Sequence, residues 1–175
     1  MTSDYIEITA STTVHELLEV YPELEETLIN IAEPFKKLRN PLLRKSIAKI
    51  ATLKHISAVG NVPLNDLVNE LRKAVGKSEI SDSYEDENYY LDQPDWFSKE
   101  KIALSINEEE LEGKNKMTVV VILQEAKHIK KGEIIELITT FLPAPGIETM
   151  KSKCYSVWTV KEDENLIKTY FLKNS

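Results

Sequence analysis

In the first third of the chain apolar residues return every three or four positions, and beyond residue 100 the period shortens to two. Val14, Leu17, Leu18 and Tyr21 form one helical stripe behind Thr12 or Thr13, either of which can cap a first turn. Pro22 ends that helix and opens the next, where Leu24, Leu28 and Ile31 share a face up to a stop at Pro34. A third helix is expected from Pro41 to about Ala58, with Leu43, Ile47, Ile50, Ala51 and Leu53 inward and Gly60 as a left-handed terminator. A fourth carries Leu67, Val68, Leu71 and Val75 and stops at Gly76. Residues 6–76 therefore read as four short helices around one small core.

The second pattern begins at Ile102, Leu104 and Ile106, an alternation that suits a half-buried strand. A helix follows from about Thr118 to Lys131, with Val119, Ile122, Leu123, Ala126 and Ile129 on one face and Gly132 closing it. Glu133–Phe141 reads as a strand, and Leu142-Pro143-Ala144-Pro145-Gly146 turns into a short helix carrying Ile147 and Met150. Strands Tyr155–Val160 and Leu166–Leu172 flank the polar turn Lys161–Asn165. The expected fold class is α + α/β: a four-helix domain, then a βαβαββ two-layer sandwich over residues 99–173. Its mixed sheet has helices on one face, leaving the other to water, to the helical domain or to a second copy.

Between the two patterns, residues 77–98 carry Glu79, Asp82, Glu85, Asp86, Glu87, Asp92 and Asp95 with interspersed serines. Such charge repels itself, so the stretch reads as an acidic linker. Tyr84, Tyr89, Tyr90, Trp96 and Phe97 interrupt it, either as aromatics that dock on a domain or as a strip for a partner.

Charge and cysteine content narrow the function classes. A net charge of −7 repels phosphate backbones on average and lowers the case for nucleic acid. One local exception is the basic run Lys36, Lys37, Arg39, Arg44, Lys45, Lys49 and Lys54, opposed between residues 33 and 55 only by Glu33. It is either a solvated helix face answered by the acidic linker or a face for an anion or a partner. A single cysteine forms no internal disulfide, the N-terminus lacks a basic stretch followed by an apolar run, and no apolar run nears the roughly 20 residues of a membrane span. A cytoplasmic protein is expected.

No residue set converges on a catalytic or metal-binding pattern. His15, His55 and His128 are isolated and read as surface histidines, and Glu108-Glu109-Glu110 and Glu162-Asp163-Glu164 read as solvated charge. Five glycines leave little for a phosphate-cradling loop. Cys154 falls between the second helix and third strand of the sandwich, where a buried structural role is expected and a left-handed backbone would strain it. No cofactor is expected.

Two resemblances extend this reading. Ile8-Thr9, His15-Glu16-Leu17-Leu18, Tyr21-Pro22-Glu23, Asn40-Pro41-Leu42-Leu43-Arg44 and Leu64–Leu71 resemble a bacterial small helical domain of unknown function, related to the redox-disulfide domain found with hybrid-cluster proteins. That branch implies a cysteine pair after the second helix, and Ile31–Leu38 contains none, so redox chemistry there is excluded. Lys130-Lys131-Gly132-Glu133 and Phe141-Leu142-Pro143-Ala144-Pro145 resemble the TusA-like (SirA-like) sulfur carriers, whose nucleophilic cysteine and two following prolines fall by spacing on Asn115, Lys116 and Thr118. The resemblance implies a helix N-terminus that once favoured a thiolate, now without its thiol. The expectation is a non-enzymatic binding or regulatory module in redox, sulfur or nitrogen-oxide metabolism, with a protein partner or small ligand and self-association as a homodimer also plausible. Its candidate binding residues are Lys36, Lys37, Arg39, Arg44, Lys45, Pro143, Pro145 and Trp158, the last three in a cleft between the domains. The alternatives are a sulfur-transfer or redox relay using Cys154, and anion or nucleic-acid binding through residues 36–54.

Overall fold

Thr13 stands in extended conformation and its hydroxyl accepts the Glu16 N–H at 3.2 Å, while the Glu16 carboxylate accepts the Thr13 N–H at 2.9 Å. This capping box starts the first helix of the computed structural model, which describes residues 5–81, 83–111 and 117–175. The chain divides into two units, Met1–Glu87 and Asn88–Ser175. The first is helical: α1 (Val14–Val20), α2 (Glu25–Ile31), α3 (Pro41–Ile50), α4 (Leu53–Gly60) and α5 (Leu64–Ala74), with short 3-10 turns at Pro22–Leu24 and Glu33–Arg39. Ile8, Leu17, Leu28, Leu53, Ile56, Leu67 and Leu71 form its fully buried centre, each such burial contributing roughly 1.5–3 kcal/mol.

Four expectations change in the helical unit, the last of them at Gly60. The helix from Pro41 breaks at Ala51 and Thr52, because the backbone on either side of the break is used elsewhere: Val14 N–H donates to Ala51 C=O at 2.8 Å and Leu53 N–H to Thr12 C=O at 3.0 Å. His55 is buried within the restarted helix, its Nδ1 accepting the Thr52 N–H at 3.2 Å, so it is not a surface histidine. Helix α2 ends at Ile31, before Pro34, which lies in the following 3-10 turn.

Gly60 is helical, and the left-handed residue is Asn61 at φ 51°. The glycine serves a close approach instead, since a Cβ there would sit 2.5 Å from the Ile31 carbonyl oxygen and 2.9 Å from its Cγ2. Gly60→Ala is accordingly expected to lose about 1–3 kcal/mol through overpacking, read as a lower urea midpoint at unchanged slope.

The second unit runs β1 (Ile102–Asn107), α6 (Thr118–Glu125), β2 (Ile134–Thr139), α7 (Ala144–Ser152), β3 (Tyr155–Asp163) and β4 (Leu166–Lys173). The strand order is β1-β2-β4-β3, with β1 parallel to β2 and β4 antiparallel to both neighbours. This is the expected mixed sheet with helices. Helix α6 is shorter than its apolar stripe suggests: Lys173 Nζ bonds the Ala126 and Ile129 carbonyls at 2.9 and 2.8 Å, and the turns beyond end at Gly132, φ 83°.

Alternation separates the two sheet faces. Tyr155, whose hydroxyl donates to the Ala126 carbonyl beside α6, shares the helical face with Val157 and Thr159, while Trp158 takes the other. Across the register Trp158 pairs with Tyr170, and Tyr170 with Glu136.

Candidate functional site

The sulfur-carrier resemblance points to the loop between β1 and α6. Strand β1 ends at Asn107, and the 3-10 turn Glu108–Leu111 and the α6 N-terminus lie at the same end of the parallel β1–β2 pair. Asn115 and Lys116 lie outside the described residues. Thr118 Oγ1 donates to Glu108 Oε1 at 2.8 Å, and Glu108 is buried. A carboxylate beside the first turn of α6 already occupies the favourable end of its dipole and repels a second anion. Pro143 is the N-cap of α7 and buried, and Pro145 is half-buried in its first turn.

Trp158 lies on the opposite sheet face from that helical layer. Its ring stacks on Tyr170 with centroids 5.2 Å apart, and Phe97 meets both, at 4.6 Å from Trp158 and 4.5 Å from Tyr170. The indole N–H donates to the Leu91 carbonyl at 2.9 Å, and Tyr90 bridges Thr159 beside the strand. The residues just before β1 thus cover this part of the face that was expected to be left to water, to the helical domain or to a second copy, and the sheet separates Trp158 from Pro143 and Pro145. Next to the cluster Ser105 Oγ donates to Glu136 Oε2 at 2.6 Å. Burial first, then the Glu136 carboxylate, pushes the Tyr170 phenol far above its ordinary range, so it stays protonated as a structural donor.

Three members of the basic run are answered by acid. Lys36 pairs with Glu33, Arg39 holds both Glu26 oxygens at 2.9 Å, and Lys54 pairs with Glu87 from the acidic stretch. Lys45 is exposed on α3, and the side chains of Lys37 and Arg44 lie outside the described residues. The Arg39–Glu26 fork is solvent-exposed and contributes little stability, but it neutralises the cation a ligand would use. The signal for this was present in Glu26 and Glu87, which lie outside the window that made the run look unopposed.

Cys154 is exposed, not buried, and adopts φ 64°. It closes the turn after α7 through its N–H to Lys151 C=O at 3.0 Å, and its own carbonyl accepts from Asn174 Nδ2 at 2.7 Å. The left-handed backbone at a residue with a Cβ costs about 1–2 kcal/mol, so Cys154→Gly is expected to raise stability by about 1 kcal/mol, measured by urea unfolding. Native protein is expected to take up one iodoacetamide without denaturant.

Topology sets Cys154 far from the α6 N-terminus. Tyr155 is level with Lys173 and Leu172 with Ile134, so Cys154 sits at the end where β1 and β2 begin, while α6 starts where β1 finishes. A six-residue strand separates the two ends by roughly 17 Å. Among the described residues no group of three or more His, Cys, Asp or Glu side chains could hold a metal ion, and no helix is long and apolar enough to cross a membrane.

The family described as "Domain of unknown function (DUF1858)" matches residues 8–68, from the segment before α1 into α5. This match fits the N-terminal helical domain of unknown function. No curated protein and no solved structure matches the chain.

Proposed function

We propose that the chain is a non-enzymatic binding or regulatory protein whose second unit is a TusA-like scaffold without the sulfur-carrying thiol, serving a protein partner or small ligand in redox, sulfur or nitrogen-oxide metabolism. The observation that carries the reading is the separation just described: the lone thiol of the sequence, Cys154, stands a strand's length from the helix N-terminus at which the resemblance places the nucleophile. A thiol at a helix C-terminus gains nothing from the dipole; the resemblance assigns the nucleophile's place to Asn115 in the sequence, and the first turn of α6 already holds the Glu108 carboxylate through Thr118. The βαβαββ order supports the scaffold, and the lack of any cysteine between Ile31 and Leu38 in the helical unit supports recognition in preference to redox turnover.

The test is sulfur loading. Incubation with a cysteine desulfurase and cysteine, followed by mass spectrometry of the intact chain, is expected to leave no sulfur that passes on to a second thiol. A persulfide on Cys154 that is handed to an acceptor, and is lost in Cys154→Ser, would falsify the proposal and establish the relay.

A further inference from the structure

After α5 the chain reverses at Gly76, φ 73°, with the Lys77 N–H on the Arg72 carbonyl at 2.8 Å, and runs back along the same helix. Two asparagines one turn apart hold it there. Asn69 accepts the Ile80 N–H at 2.9 Å and donates to the Ile80 carbonyl at 3.4 Å, and Asn65 does the same for Tyr84 at 3.1 and 3.3 Å. Arg72 Nε donates to the Ser78 carbonyl at 2.6 Å. At the other end Asp86 Oδ1 accepts the Leu64 N–H at 2.9 Å and caps α5, whose own N-cap residue is Pro63 with no side-chain bond.

Asparagine is a poor helix-interior residue, and here two side-chain amides are each committed to another segment's main chain. Bonds to main-chain N–H and C=O read no side-chain identity; they supply affinity, as in strand addition, and leave specificity to pockets. Specificity comes from Ile80 and Tyr84, which pack against the helical core, and from Asp86 and from Glu87 on Lys54. The four-residue step from Ile80 to Tyr84 would span about 13 Å if extended, against about 6 Å along the helix, so the backbone meets α5 at two feet, with Ser81 and Ser83 exposed.

We propose that the α5 face bearing Asn65, Asn69 and Arg72 is a peptide-binding groove that takes, in trans, a short acidic segment of a partner protein. That segment presents an aliphatic residue, an aromatic residue four positions later and carboxylates just beyond. Residues Ser78–Ser81 and Ser83–Glu87 are the built-in occupant and competitor. A short tether gives this occupant an effective concentration in the mM range, so the external segment enters when the internal one is weakened or released. The groove belongs to the first unit alone and stands whether or not the second unit carries sulfur.

The test uses a fluorescent peptide with the sequence of residues 77–88 and the full chain. Tyr84→Ala with Asp86→Ala, which alter the occupant and leave the groove, are expected to tighten peptide binding by about tenfold over wild type, with α-helical circular dichroism retained. Adding Asn65→Ala and Asn69→Ala is expected to return binding to the wild-type level or below. Equal binding by the wild-type and occupant variants, or binding indifferent to the asparagines, overturns the proposal. Should the variants unfold, hydrogen exchange of the wild-type chain decides: the Ile80 and Tyr84 amides are expected to open well before those of Leu67 and Val68, and exchange of all four only on global unfolding overturns it.

Discussion

Arg72→Met is expected to destabilise the helical unit by about 3 kcal/mol or more, lowering its thermal midpoint by roughly 12–24 °C. The guanidinium is buried and serves three partners from two directions: the Glu7 carboxylate, the Ile8 carbonyl at 3.2 Å and the Ser78 carbonyl at 2.6 Å. It therefore ties the segment before α1 and the segment after α5 to the same helix. Methionine fills the volume but leaves those carbonyls without a donor, and that loss dominates over any relief from desolvating the charge. Lysine recovers little, because one ammonium lacks the planar fork that reaches separate acceptors. Thermal unfolding followed at a helical wavelength checks both variants.

The same contact sets an acid sensitivity. The hydrogen bond from Arg72, with its charge and a lesser contribution from Tyr5, holds the Glu7 carboxyl below the ordinary carboxylate range. A depressed carboxylate contributes stability that is present above its unfolded pKa and is lost as pH falls through the folded value. Urea midpoints of the wild-type chain are thus expected to drop on acidification below that range, and Glu7→Gln is expected to flatten part of the drop.

Trp158→Ala carries the second large expected effect, a loss of about 3–5 kcal/mol from the second unit. It removes the stack on Tyr170, the contact with Phe97 and the hydrogen bond to Leu91, and opens a void in a cluster that also involves Ile134. Trp158→Phe retains most ring contacts and leaves the Leu91 carbonyl without its donor, so a loss of about 1–2 kcal/mol is expected. Denaturant titration of both variants separates packing from hydrogen bonding.

Much of the architecture was legible because it rests on local signals. A threonine cap at Thr12 or Thr13, Pro22, Pro41, the alternation of Ile102, Leu104 and Ile106, and the glycines at 76 and 132 each act within a few residues, and each element they mark is present. The break at Ala51 and Thr52 was not legible, since Ile47, Ile50, Ala51 and Leu53 fit one helical stripe and the groups that break it belong to Thr12 and Val14. The acidic stretch read as a linker from its charge alone, and where its main chain is held was not legible for a similar reason. Its composition repels, but its main chain is held by Asn65 and Asn69, which carry no periodic signal. The exposure of Cys154 follows from a tight turn between α7 and β3, whose geometry outweighs the general preference of cysteine for the interior.

Both tryptophans of the chain, Trp96 and Trp158, belong to the second unit. Their emission reports on the second unit, whereas far-ultraviolet ellipticity is weighted toward the helical one, so one unlabelled sample offers two optical channels with different weights on the two units.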